Sequence, residues 1–332
     1  MKSVSVNTRV YRLLGILIPF ALVFLAASDS FAVEPEGAKN TAPAVGVNGT
    51  ETFATPEQAA AALVNAADKF DVDALVRIFG VGGEEVVLSG EYAQDRQRAQ
   101  EFAAKAREKT AVANDPISKS RAFLVVGDGE WPFPVPIVKR ASRWQFDAAA
   151  GLKELEYRRI GRNELDAIEF CRGYVEAQQE YAFRPREGYD VTQYAQHIIS
   201  ASGKRDGLAW PNPDGTWGGP IGETAARAIE QGYSLEQGKA TPFHGYFFKV
   251  LKGQGPNAPL GEMDYVVKGV MIGGFALVAV PAEYGETGVK AFIVNQSGVV
   301  YQKDLGPETL TAFQKMERFN PDRSWTPVLD ID

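Results

Sequence analysis

The stretch Asn163-Glu164-Leu165-Asp166-Ala167-Ile168-Glu169-Phe170-Cys171-Arg172-Gly173-Tyr174-Val175-Glu176-Ala177-Gln178-Gln179-Glu180-Tyr181 decides how the larger part of this chain is read. Ile168, Cys171, Val175 and Gln178 recur at intervals of three and four, with Ala167 and Tyr174 beside them, and Asn163 is placed to cap the first free amides. The spacing predicts a long helix over 163–181 that buries this stripe against another layer. Downstream, Val191, Tyr194, Ala195 and Ile198 fill the i, i+3, i+4, i+7 template, which predicts a second helix over 191–200. The period then changes to two. Residues 244–251, 264–268, 275–280, 290–295 and 298–303 alternate or run apolar between Gly, Pro and Asn turns, and read as strands. A long helix, helical satellites and an antiparallel sheet make residues 160–332 a C-terminal α+β domain.

Upstream, the character of the sequence changes between Ala148 and Gly161, the expected domain boundary. Residues 53–150 read as an N-terminal α+β domain. Thr55-Pro56-Glu57-Gln58 carries a cap, a proline for the first helical position and a capping-box partner, and Ala59, Leu63, Ala66 and Phe70 share the face of the helix that follows. Asp71 caps a second helix through Phe79, with Phe70 and Leu75 at the spacing of a hydrophobic staple. A charged third helix spans 91–109, with Tyr92, Ala99, Phe102 and Ala106 on one side. Strands follow at 121–126, 135–140 and 143–146, the last pair joined by Ala141-Ser142. Trp131-Pro132-Phe133-Pro134-Val135-Pro136 suits a sheet edge, because proline cannot donate into an interior ladder.

Residues 33–52, rich in Pro, Gly, Ala, Thr, Asn and Glu, read as a flexible leader. Residues 1–32 read as a signal peptide. Lys2, Arg9 and Arg12 precede an apolar run over 13–27, and Ser30 and Ala32 are the small residues before a cut after Ala32. The run is shorter than the roughly 20 residues a spanning helix needs, and Pro19 interrupts it. Export to the periplasm or beyond, with no membrane span after signal removal, is the expectation. Loss of Lys2, Arg9, Arg12 and Asp29 takes the formal charge from -7 to -9. An acidic chain with no basic run excludes nucleic acid as a partner by charge. Cys171 is the single cysteine, so no internal disulfide forms.

Two resemblances concern architecture. The first domain is similar in element order to the nuclear-transport-factor-2-like superfold. The second resembles the globular part of type IV pilins and pseudopilins, through the 163–181 helix, Gly245-Tyr246-Phe247-Phe248-Lys249-Val250 and Phe292-Ile293-Val294-Asn295-Gln296-Ser297-Gly298. It departs from them because the apolar N-terminal run is not continuous with that helix. Across residues 53–328, Trp131 to Pro136, Trp144-Gln145-Phe146-Asp147, Arg159-Ile160-Gly161-Arg162-Asn163-Glu164-Leu165, Gly203-Lys204-Arg205-Asp206-Gly207-Leu208 and Met271-Ile272-Gly273-Gly274-Phe275-Ala276-Leu277 resemble the domain-of-unknown-function 2950 family of exported bacterial proteins. That resemblance implies an envelope or secreted protein and implies no activity.

The chemistry-bearing residues are few. His197 reads as a surface residue on the 191–200 helix, and His244 opens a strand beside Gly245, where another group can approach the backbone. No His/Cys ligand set, calcium loop, phosphate-cradling glycine loop or nucleophile elbow occurs, so neither a metal nor a cofactor is expected. Asp214 and Glu223 share no motif. The densest constellation is Gly203-Lys204-Arg205-Asp206-Gly207-Leu208-Ala209-Trp210. Lys204 and Arg205 complement a helix C-terminus and Asp206 makes a turn in one reading. In the other, Lys204, Arg205, Asp206 and Trp210 form a recognition loop, with Tyr284 beside Glu283 in a second such turn. Three functions follow: a non-enzymatic protein binding an envelope protein or cell-wall component; an envelope-polymer hydrolase using Asp206 and Glu283, with His244 a further catalytic candidate; or a carrier with a pocket among Phe102, Phe123, Trp131 and Trp144.

Overall fold

The computed structural model describes residues 44–45, 49–183, 191–222 and 242–329. Residues 1–32, expected to be a signal peptide, most of 33–52, expected to be a leader, and Glu223 lie outside the described residues. The fold is α+β, in two compact units, Met1–Leu155 and Glu156–Asp332.

In the first unit, α1 (Pro56–Lys69) starts as its sequence dictates: the Thr55 hydroxyl accepts the Gln58 N–H at 3.2 Å, and the Gln58 side chain accepts the Ala54 N–H at 3.2 Å. Ala59, Leu63, Ala66 and Phe70 are buried, and Phe70 closes the helix in the left-handed region (φ 50°). The Asp71 carboxylate caps α2 (Val72–Phe79) by accepting from Ala74 N at 3.0 Å. A short α3 (Gly83–Val87) precedes α4 (Tyr92–Glu108). Strands β1 (Thr110–Asn114), β2 (Arg121–Val126), β3 (Trp131–Pro132), β4 (Ile137–Arg140) and β5 (Arg143–Phe146) form one antiparallel sheet, ordered β1-β2-β4-β5 with β3 also on β2. Between the prolines, Phe133 donates its N–H to Leu124 O at 2.7 Å. Its ring is a hub, within 5.0 to 6.3 Å of Phe79, Phe102, Trp131 and Phe146. Phe102 and Trp131, expected to mark a ligand pocket, thus pack on Phe133. Trp144 is buried under the Lys139 ammonium, and Phe123 lies under the Arg121 guanidinium.

Asp95 is the charged member of this unit's interior. Burial works to raise its carboxyl pKa, but hydrogen bonds from Ser89 Oγ (2.7 Å) and Ser89 N (2.9 Å), with the Arg98 cation at 2.7 Å, hold it below the ordinary carboxylate value. A depressed folded pKa contributes stability that is present above the unfolded value, about 3.9, and is lost as pH falls through the folded one. Asp95→Ala should therefore cost about 1–2 kcal/mol at pH 7. Urea midpoints of the variant and the parent should converge below about pH 4; a deficit constant with pH would show that packing, not charge, is lost.

The second unit is built on α5 (Ala148–Ala182), whose first turns belong to the first unit. The helix does not begin at Asn163. Asp147 caps it instead, accepting Ala150 N at 3.1 Å, and the helix formers between residues 148 and 162 carry it through the expected break. Asn163 donates its amide N–H to Thr287 O at 2.9 Å. Ile168, Cys171, Tyr174 and Val175 face a five-stranded antiparallel sheet, β9-β10-β11-β12-β13, formed by β9 (Tyr246–Leu251), β10 (Ala276–Pro281), β11 (Lys290–Asn295), β12 (Tyr301–Asp304) and β13 (Thr326–Pro327). All six residues of β10 are buried, and α6 (Thr309–Lys315) lies against it. Phe170 packs on Phe248 at 4.2 Å, and burial pushes the Cys171 thiol up to about 12.

Residues 191–200 are not a helix. A strand, β6 (His197–Ile199), pairs parallel with β7 (Gly207–Pro211), which pairs antiparallel with β8 (Trp217–Gly218). Tertiary bonds override the helical spacing: Gln178 clamps both backbone groups of Ala195, and Tyr194 N donates to Met271 O at 2.8 Å.

Candidate functional site

The three-stranded sheet positions the constellation around Trp210. Asp206 closes the turn before β7: its carboxylate accepts Ala201 N at 3.0 Å, while its carbonyl accepts Gln196 N at 3.1 Å. The Arg205 carbonyl accepts the Tyr181 hydroxyl at 2.7 Å, which ties the turn to the last part of α5. The exposed Arg205 guanidinium stands 5.5 Å above the Trp210 ring. Trp210 is opposite Gly218 in the β7/β8 ladder, and its indole edge lies so close that a Cβ at 218 would meet Nε1 at 2.5 Å.

A groove of about 700 Å³ opens beside Trp210, lined from α5 by Glu176, Gln179, Glu180 and the adjoining Phe183, and from the far side by Pro220. Phe183 is 81% exposed. These four α5-side residues sit at i, i+3, i+4 and i+7, one helical face turned about 100° from the buried stripe. Sequence reasoning placed Trp210 at a recognition site and missed Glu176, Glu180 and Phe183. The signal available was that same spacing, visible only once a sheet stands opposite it.

The other candidates gather at a second place. His244 (φ 46°) and Gly245 (φ 75°) are the two residues of a tight hairpin in which Phe243 and Tyr246 exchange backbone hydrogen bonds at 3.0 Å. Positive φ at both positions is the type I′ geometry. His244 Nδ1 lies 2.6 Å from Asp166 Oδ2 on α5. Ala282 N donates to Gly245 O at 2.9 Å, bringing the 283–288 turn alongside, where Glu283 is exposed and Tyr284 donates to Asp304 at 3.3 Å. Glu164 accepts from the backbone N–H groups of Val289 and Lys290 at 2.9 and 3.0 Å. His244 and Glu283 thus sit on neighbouring turns. Asp206 belongs to the other locus, and the groove beside Trp210 is lined by neither Asp206 nor Glu283. Lys204 and His197 are exposed, the latter on β6. Among the described residues no three His, Cys, Asp or Glu side chains are placed to hold a metal ion, and no helix is long and apolar enough to cross a membrane.

A family model described as Protein of unknown function (DUF2950) matches residues 50–328. The chain belongs to the DUF2950 family. The match takes in both loci of this DUF2950 protein, from α1 through β13. No curated protein and no solved structure matches the chain, and the expected likeness of its C-terminal half to pilins is not shown.

Proposed function

We propose that this DUF2950 protein is exported, with its signal cut after Ala32, and acts as a non-enzymatic binding protein that holds an envelope protein or cell-wall component in the groove beside Trp210. The groove carries the reading. It presents an exposed Phe183 and a half-buried Trp210 with polar side chains at its rim, the composition of an interface anchor. A hydrolase built on Asp206 and Glu283 is disfavoured, because Asp206 is engaged in closing its own turn and the groove holds neither. A carrier pocket in the first unit is disfavoured by the aromatic hub at Phe133.

Capture of a partner from native envelope extract tests the binding half. Phe183→Ala combined with Trp210→Leu should reduce capture at least about tenfold, about 1.4 kcal/mol, in a protein that remains folded although the loss of Trp210 packing lowers its urea midpoint. Undiminished capture by the folded double variant would remove the groove from the function. N-terminal sequencing tests export: protein recovered outside the cytoplasm should begin at Val33, and a cytoplasmic chain retaining Met1 would overturn it.

A further inference from the structure

Both charged side chains that line the Trp210 groove are carboxylates. Glu176 and Glu180 are like charges at i, i+4 on one helix face, a repulsive spacing. Among the described residues neither forms an ion pair. Glu180 lies in the last turn of α5, where the free carbonyls already carry partial negative charge, and that turn has no basic residue to offset it. The faces of Trp210 and Phe183 add the negative side of an aromatic quadrupole. One of those rings already accepts a cation, since the Arg205 guanidinium sits 5.5 Å over Trp210.

Resting on the groove reading above, we propose that the groove takes a basic segment of a partner protein, seating a lysine or arginine side chain between Phe183 and Trp210 with its charge against Glu176 and Glu180. Charge complementarity selects this occupant: an anionic polymer would meet two carboxylates and a helix C-terminus, while a neutral sugar would leave the paired carboxylates uncompensated. Arg205 is then the resident cation beside the site, and it competes with the incoming one for Trp210.

Calorimetric titration of the full chain with a tetralysine peptide, its Nε-acetylated form and chitotetraose tests this. Tetralysine should bind, the acetylated peptide at least about tenfold more weakly, since acetylation removes the charge and the cation–π contact. Glu176→Gln with Glu180→Gln should weaken tetralysine binding at least about tenfold, as should raising ionic strength from about 0.05 to about 0.5 M. Arg205→Ala should tighten it a few-fold, about the size of one exposed cation–π contact. Equal binding of the acetylated peptide, or binding indifferent to the double glutamine variant, overturns the cationic occupant. Chitotetraose binding that is lost in Phe183→Ala would leave the groove as the binding site and reject a basic ligand. Silence from both probes, with envelope capture unaffected by Phe183→Ala, would reject the groove itself.

Discussion

Gln178→Ala should destabilise the second unit by about 3 kcal/mol, although it removes a polar side chain from a helix. Gln178 is fully buried, and its amide bonds both backbone groups of Ala195, a residue outside regular structure, as well as Tyr174. Its carbonyl oxygen accepts Ala195 N at 2.8 Å, and its NH₂ donates to Ala195 O at 2.8 Å and to the Tyr174 hydroxyl at 2.9 Å. Ala195 is itself fully buried, so truncation leaves an N–H and a C=O with neither protein nor water as partner, each costing about 1–3 kcal/mol. Gln178→Leu should be nearly as damaging despite its apolar fit, because the orphaned groups belong to the backbone. The urea midpoint reports the size, and amide exchange at Ala195 reports the place. A loss under about 1 kcal/mol would mean that the 191–196 segment finds other partners.

That clamp also explains which parts of the fold could be read from sequence. Local rules held where local bonds decide: the caps at Thr55 and Asp71, the buried stripe at Ile168, Cys171 and Val175, and strands such as Lys290–Asn295. They failed where a distant side chain decides. The helical spacing of Val191, Tyr194, Ala195 and Ile198 is real, and all but Val191 turn at least partly inward, yet the backbone is held extended by Gln178 and by parallel pairing to β7. By spacing Gln178 is one more member of the stripe, yet a polar residue placed among apolar neighbours is the signal of a polar clamp. At α5 the error was local. Asp147 followed by Ala148-Ala149-Ala150 is a stronger start than Asn163, whose side chain serves a loop 124 residues away.

The site divided the same way. The cluster from Lys204 to Trp210 is contiguous in sequence, so its density of charge and aromatic character was visible. Its partners on α5 were not, because Glu176, Glu180 and Phe183 look like an ordinary solvated helix face until β7 and Pro220 stand across from them. By sequence His244 opens a strand. It occupies a left-handed turn position facing Asp166, a pairing across 78 residues that no spacing rule exposes.

The arrangement around Trp210 depends on positions with no side chain, Gly218 against the indole and Gly207 at the start of β7, and Gly207→Val is the substitution expected to disturb both stability and binding. Gly207 opens β7 directly opposite His197 of β6 and is buried. A Cβ there would stand 2.5 Å from Ser200 N and 2.6 Å from Ile199 C, which are backbone atoms that no rotamer change can move. The same backbone is pinned from both ends, Gly207 N to Ser200 Oγ at 2.9 Å and Ser200 N to Ala209 O at 2.8 Å. The two strands must therefore separate, with a cost of about 3 kcal/mol or more. Gly207→Ala should fall in the same direction by a smaller amount. Separation displaces Trp210, three residues along β7, and with it one wall of the groove, so tetralysine binding should fall together with the urea midpoint. Phe183→Ala should lower binding at a nearly unchanged midpoint, because the Phe183 side chain is largely exposed. A Gly207→Val protein that kept its full stability would show that β6 and β7 can part without loss, and the parallel pairing would then not be what holds Trp210 in place.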